Sequence, residues 1–116
     1  MILNANPKLE NNFFSKVIKK KISQVIKSGK YILGDEVKKF EKKFSNFIGS
    51  KYAVGVNSGT DALIIALKTL GVSRGDEVII PAISASATAI AVKNVGAKII
   101  YADLDLDSQN VSAKTI

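Results

Sequence analysis

At 116 residues the chain has room for one ordinary domain, and with 47% apolar residues it can build a core rather than stay disordered. It contains neither cysteine nor histidine, which excludes disulfides, thiolate metal sites, cysteine nucleophiles and any Ser-His-Asp arrangement within the chain. The net charge of +7 lies in residues 1–50, where eleven lysines face four acids, while residues 51–116 balance six basic against six acidic groups.

The opening MILNANPKLENNFFSK lacks the basic start, apolar block and small-residue cleavage site of a secretory signal. No apolar run approaches the roughly 20 residues that span a bilayer. A cytoplasmic protein with no membrane partner is expected.

In chain order, the first predicted helix covers 11–27. Phe14, Ile18, Ile22, Val25 and Ile26 fall on one face of it, most of its lysines fall elsewhere, and Ser28-Gly29 is a suitable stop. The second covers 35–48. Asp35 and Glu36 occupy the first turn, where exposed amides favour carboxylates. Val37, Phe40, Phe44, Phe47 and Ile48 form its apolar stripe, and Gly49 ends it. Lys38, Lys39, Lys42 and Lys43 lie opposite that stripe, with no aromatics interleaved for base stacking. They read as a solvated face rather than a nucleic-acid surface, and no nucleic-acid partner is expected.

After Gly49 the rhythm changes. Tyr52-Ala-Val-Gly-Val56 reads as a short buried strand, followed by Asn57-Ser-Gly-Thr60 and a helix from about Asp61 to Gly71. The turn Ser73-Arg-Gly-Asp76 leads to a strand over 77–80 that Pro81 terminates. A small-residue segment over 84–95 places Ala85, Ala89, Val92 and Val95 on one face, and Gly96 closes it. The last strand, 98–102, is almost continuously apolar, as in a sheet covered on both faces. Two helices followed by β-α-β-α-β predict an α/β fold with a parallel sheet. The organisation expected is a helical arm at 1–48 and the start of an α/β layer at 49–116.

Three segments carry candidate chemistry. In Val54-Gly-Val-Asn-Ser-Gly-Thr-Asp61 a strand enters a tight turn that opens a helix. The first amides of such a helix lack partners and carry partial positive charge, which suits an anion, most naturally a phosphate. Gly59 permits close approach and the Thr60 hydroxyl adds a donor. Ordinary capping by Ser58 or Thr60 explains the same residues, and spacing alone leaves both readings open. It does exclude a Walker loop, which needs Lys where the chain has Thr60-Asp61, and the three-glycine dinucleotide fingerprint.

The second segment, Asp103-Leu-Asp-Leu-Asp107, mimics the start of a calcium loop. Ser108 and Lys114 stand where that loop needs glycine and glutamate, so no metal is expected. The third, Pro81-Ala-Ile-Ser-Ala-Ser-Ala-Thr88, gathers hydroxyls where open α/β sheets bind ligands; alone it reads equally well as helix capping.

The run Tyr31-Ile-Leu-Gly34, Glu36-Val37, Phe40-Glu41 and Ala53-Val-Gly-Val-Asn-Ser-Gly-Thr-Asp-Ala-Leu63 is similar to the start of the DegT/DnrJ/EryC1/StrS aminotransferases. The likeness continues through Leu67, Leu70-Gly71, Gly75-Asp-Glu-Val78, Pro81, Ala87-Thr-Ala89, Val95-Gly-Ala97 and Asp103-Leu-Asp105. It implies part of the large domain of a fold-type I pyridoxal-phosphate-dependent transferase, with an incomplete sheet. The cofactor implied is pyridoxal 5'-phosphate and the substrates a nucleotide-linked keto sugar and an amino donor, usually glutamate. By the same resemblance Gly59, Thr60 and Asp61 hold the cofactor phosphate, mainly through backbone amides.

Family members commonly carry an aromatic residue over the pyridine ring. Ala85 stands at the matching position, and its methyl covers the ring without π-stacking. The resemblance places the Schiff-base lysine and the aspartate of the pyridine nitrogen downstream of residue 116, so no catalytic residue is assigned here. It implies an N-terminal fragment, inactive by itself, with apolar faces and sheet edges left open, and a homodimer for the full-length enzyme. A deoxysugar dehydratase on the same scaffold, or a non-catalytic basic module, are the alternatives.

Overall fold

The computed structural model describes residues 7–116, so residues 1–6 of the helical arm and of the stretch read for a signal lie outside the described residues. The chain divides into two compact units, Met1–Gly55 and Val56–Ile116.

The first unit is built from α1 (Pro7–Ser28) and α2 (Asp35–Ile48). Helix α1 starts four residues before the expected position, at a proline, whose fixed φ and missing N–H suit a first helical turn. It stops where expected, at Gly29 with φ +66°. Helix α2 keeps its expected bounds. Gly49 ends it at φ +77°, a left-handed conformation that lets its amide reach back to the carbonyls of Asn46 and Ser45. Between the helices Leu33 also takes a positive φ, +50°. Lys39 donates to Glu36 at 2.7 Å, which holds the Glu36 carboxyl below the usual glutamate range and raises the Lys39 ammonium. Both apolar stripes form as the spacing dictates. Apart from the half-buried Val25 and Val37, however, their large side chains are exposed, so the stripes are surface within this unit.

The expected strand at 52–56 is absent. Its residues take no regular secondary structure and pair with no strand among the described residues, and Tyr52 and Val54 are 75% and 78% exposed. Strand-like composition is a preference for a pleated, half-buried surface, and without a ladder partner it does not make a strand. The β-α-β-α-β order is therefore realised as α-β-α-β.

The second unit comprises α3 (Gly59–Thr69), β1 (Glu77–Pro81), α4 (Ser86–Asn94) and β2 (Lys98–Ala102). The strands pair in parallel, from Glu77 opposite Lys98 to Pro81 opposite Ala102, and the Lys98 ammonium meets the Glu77 carboxylate at 2.7 Å. The parallel pairing agrees with the sequence reading. In β1 Val78 and Ile80 face the core while Ile79 is 46% exposed; in β2, whose apolar run led to the expectation of a double cover, Ile99 packs on the core and Ile100, on the opposite face, is half-buried. The core cluster joins Ile80, Val92 and Ala97, flanked by Leu67, Val72, Val78, Ala89, Val95 and Ile99. Helix α4 is shorter than the expected 84–95 segment: Ala85 lies outside it as an exposed N-cap, and Ala91 joins Val92 as a buried residue.

Beyond β2, Asp105 folds a tight loop. Its Oδ1 accepts from the amides of Ser108 at 3.0 Å and Asp107 at 3.1 Å. The hydrogen bonds from Ser108, backbone first, hold the Asp105 carboxyl below the usual aspartate range. A carboxyl depressed in the folded state stabilises the fold above its unfolded pKa, and that contribution fades as pH falls through the folded value. The amide of Ser108 is therefore expected to exchange faster in strong acid relative to the β2 amides, a comparison amide exchange by NMR reads directly.

Candidate functional site: an amide-lined turn at the start of α3

Helix α3 opens at Gly59, two residues earlier than the spacing suggested, and Ser58 is its N-cap with extended backbone (φ −154°, ψ 165°). Ser58 Oγ accepts from the Asp61 amide at 3.1 Å, and the Ser58 carbonyl accepts from Ala62 N at 3.0 Å. The Asp61 carboxylate turns back on the turn. Its Oδ2 accepts from Asn57 Nδ2 at 2.9 Å and from Ser58 Oγ at 3.0 Å. Asn57 lies before the first residue of α3, so the helical pattern carries no sign of its bond to Asp61.

This clamp leaves a defined remainder. The Gly59 and Thr60 amides donate to no group among the described residues, and they are the first two of the helix, where the dipole is most positive. A Cβ at Gly59 would meet nothing within 4 Å, so this position carries no crowding of its own. Thr60 and Asp61 are half-buried and Gly59 is exposed. The capping and anion readings thus apply to different groups: Ser58 caps through its side chain while two amides stay available. Replacing Ser58 by alanine is expected to cost about 1 kcal/mol, the usual worth of a serine cap, seen as a lower urea midpoint.

Ala85 lies elsewhere in the same unit, at the carboxyl ends of the strands. It borders a pocket of about 190 Å³ with Pro81, Ser84, Ser86, Thr88 and Tyr101 among its walls. Ser84 Oγ and Thr88 Oγ1 share a hydrogen bond of 2.8 Å, so part of the hydroxyl cluster serves its own helix start. Gly59, Thr60 and Asp61 do not line this pocket. Among the described residues no acidic cluster is placed to hold a metal, and no helix is long and apolar enough to cross a membrane.

A parallel strand pair covered by helices, entered through a Ser-Gly-Thr turn, is the beginning of a fold-type I transferase scaffold, and known proteins agree. The model of the DegT/DnrJ/EryC1/StrS aminotransferase family matches residues 14–116. UDP-2-acetamido-2-deoxy-3-oxo-D-glucuronate aminotransferase of Pseudomonas aeruginosa is 42% identical over 95 residues, 82% of this chain and 26% of that protein. A crystal structure of a DegT DnrJ EryC1 StrS aminotransferase from Brucella abortus superposes with a TM-score of 0.93 at 33% identity, covering 98% of this chain and 31% of that one. The E. coli GDP-4-keto-6-deoxy-D-mannose-3-dehydratase with bound hydrated PLP is also similar, with a TM-score of 0.75 and 32% identity over 83% of this chain and 26% of that one. The chain belongs to the DegT/DnrJ/EryC1/StrS aminotransferase family. It spans about a quarter of the length of the curated relative it matches.

Proposed function

We propose that the protein carrying this chain is a pyridoxal 5'-phosphate-dependent aminotransferase that acts on a nucleotide-linked keto sugar, with glutamate as amino donor. The observation that carries this reading is the pair of unpartnered amides at Gly59 and Thr60, in the segment that most resembles the family. A phosphate dianion needs donors and positive potential, and the turn offers two amides, the Thr60 hydroxyl and a helix N-terminus. The residues present therefore fit the group.

Gly59 and Thr60 bind the phosphate through their amides. Asp61 supports them by locking Asn57 and Ser58, and its own amide is engaged by the cap. Ala85 covers the ring with a methyl group, so less of the holding energy comes from stacking and more from the phosphate turn. When bound, the cofactor supplies an electron sink that lets an amino group move between carbon skeletons. A homodimer working in the cytoplasm completes the proposal.

The test is to incubate the full-length protein with the cofactor, L-glutamate and UDP- or dTDP-linked keto sugars, and to follow products by mass spectrometry. Gain of nitrogen by the sugar with formation of 2-oxoglutarate is the expected result. A second reading, dehydration at a deoxysugar carbon, is favoured by the likeness to the E. coli dehydratase. It predicts loss of a sugar oxygen without retained nitrogen. A protein that changes neither sugar and binds no cofactor would sink both.

A further inference from the structure

We infer that Glu41 is a positioning residue for the backbone that feeds the Ser58–Asp61 turn, acting through the amide of Gly55; this rests on the phosphate reading of that turn. Glu41 Oε1 accepts from Gly55 N at 2.8 Å, a bond spanning 14 residues of sequence. Its surroundings make the choice of partner informative. Glu41 is the acid of α2 that sits among Lys38, Lys42 and Lys43, yet it forms no ion pair with a lysine among the described residues. Glu36 pairs with Lys21 and Lys39, and Asp35 with Lys30. The half-buried Glu41 carboxylate is committed to a main-chain donor.

The recipient segment explains why such a bond is needed. Residues 52–56 belong to no helix and no ladder among the described residues, and side chains hold this backbone. Ser50 Oγ donates to the Tyr52 carbonyl at 2.8 Å, and Glu41 takes Gly55. An N–H donated to a carboxylate is stronger than a neutral bond. A Cβ at Gly55 would lie 3.5 Å from Glu41 Oε1 and 3.7 Å from Val37 Cγ1, so the backbone comes close to α2 at this point. Only Val56 and Asn57 separate Gly55 from the Ser58 cap, and fixing the Gly55 amide restricts how the chain enters the turn.

The experiment compares dissociation constants for pyridoxal 5'-phosphate and for pyridoxal, which lacks the phosphate, in the full-length protein and its variants. Glu41→Met keeps the length of the side chain and removes the acceptor, whereas Glu41→Gln keeps an acceptor oxygen. The expected result for Glu41→Met is a roughly tenfold loss of affinity for the phosphorylated compound, with pyridoxal unchanged. Glu41→Gln should stay within about threefold of wild type on the same scale. The phosphorus resonance of the bound cofactor should move toward its free position in Glu41→Met alone. If that variant does not fold, Glu41→Asp, too short to reach, takes its place. Wild-type preference for the phosphate retained in the acceptor-less variant, or a Glu41→Gln protein as impaired as it, overturns the inference alone. A wild-type protein with no preference overturns the phosphate reading as well.

Discussion

Gly59→Pro is expected to weaken pyridoxal 5'-phosphate binding by about 10- to 100-fold while leaving α3 folded. Proline removes one of the two unpartnered amides, and a hydrogen bond to a charged group is worth about 1.5–3 kcal/mol, which gives that range. The helix tolerates the change for a local reason. Gly59 is the first helical residue, where proline is favoured because the N–H has no intrahelical partner in any case. The preceding residue must be extended, and Ser58 already is, at φ −154° and ψ 165°. A Cβ at this site meets nothing within 4 Å. The measurement is a fluorescence titration with the cofactor and with pyridoxal, alongside a circular dichroism melt. Affinity lost for both compounds equally would mean that the turn does not read the phosphate. Unchanged affinity would remove the Gly59 amide from the site.

The elements written in local patterns were legible in the sequence. Helix α2 ran to its expected bounds because its acids, its 3.6-residue stripe and its glycine all agree on the same limits. Strand β2 was legible for a similar reason, with Gly96 before it and Asp103 after it. What failed was what depends on partners. Tyr52-Ala-Val-Gly-Val56 has a strand's composition, but a strand exists only as half of a ladder, and no residue within the segment says whether the other half is present. The turn was half legible. Its small residues marked a helix start, yet which amides remain free depends on where the Ser58 and Asp61 side chains point. Glu41 left no signal beyond its place in the family-like Phe40-Glu41 pair, since a side chain gripping a distant amide has no period.

Ile80→Ala is expected to cost about 2–5 kcal/mol, the largest stability effect of any single change proposed for this chain. Ile80 is 4% exposed and forms the buried cluster with Val92 and Ala97. That cluster is small, so few neighbours are available to close over the space left by the lost atoms. Ile80→Val, which removes one methylene, should cost about 0.5–1.5 kcal/mol. The neighbouring Ile79 turns the other way and is 46% exposed, so Ile79→Ala should cost no more than about half of the Ile80 value if apolar area removed from water sets the scale. Urea unfolding of the three variants reads the difference. Its importance lies in the two apolar faces of these strands. Unequal losses mean that β1 and β2 are covered on the helix side alone. Equal losses in the full-length protein mean that a second layer covers Ile79, the double cover that the continuous apolar run of β2 led one to expect. In that case Ile79 and Ile80 would be equivalent core residues on opposite sides of one sheet, and the open face would be the place where the rest of the polypeptide packs.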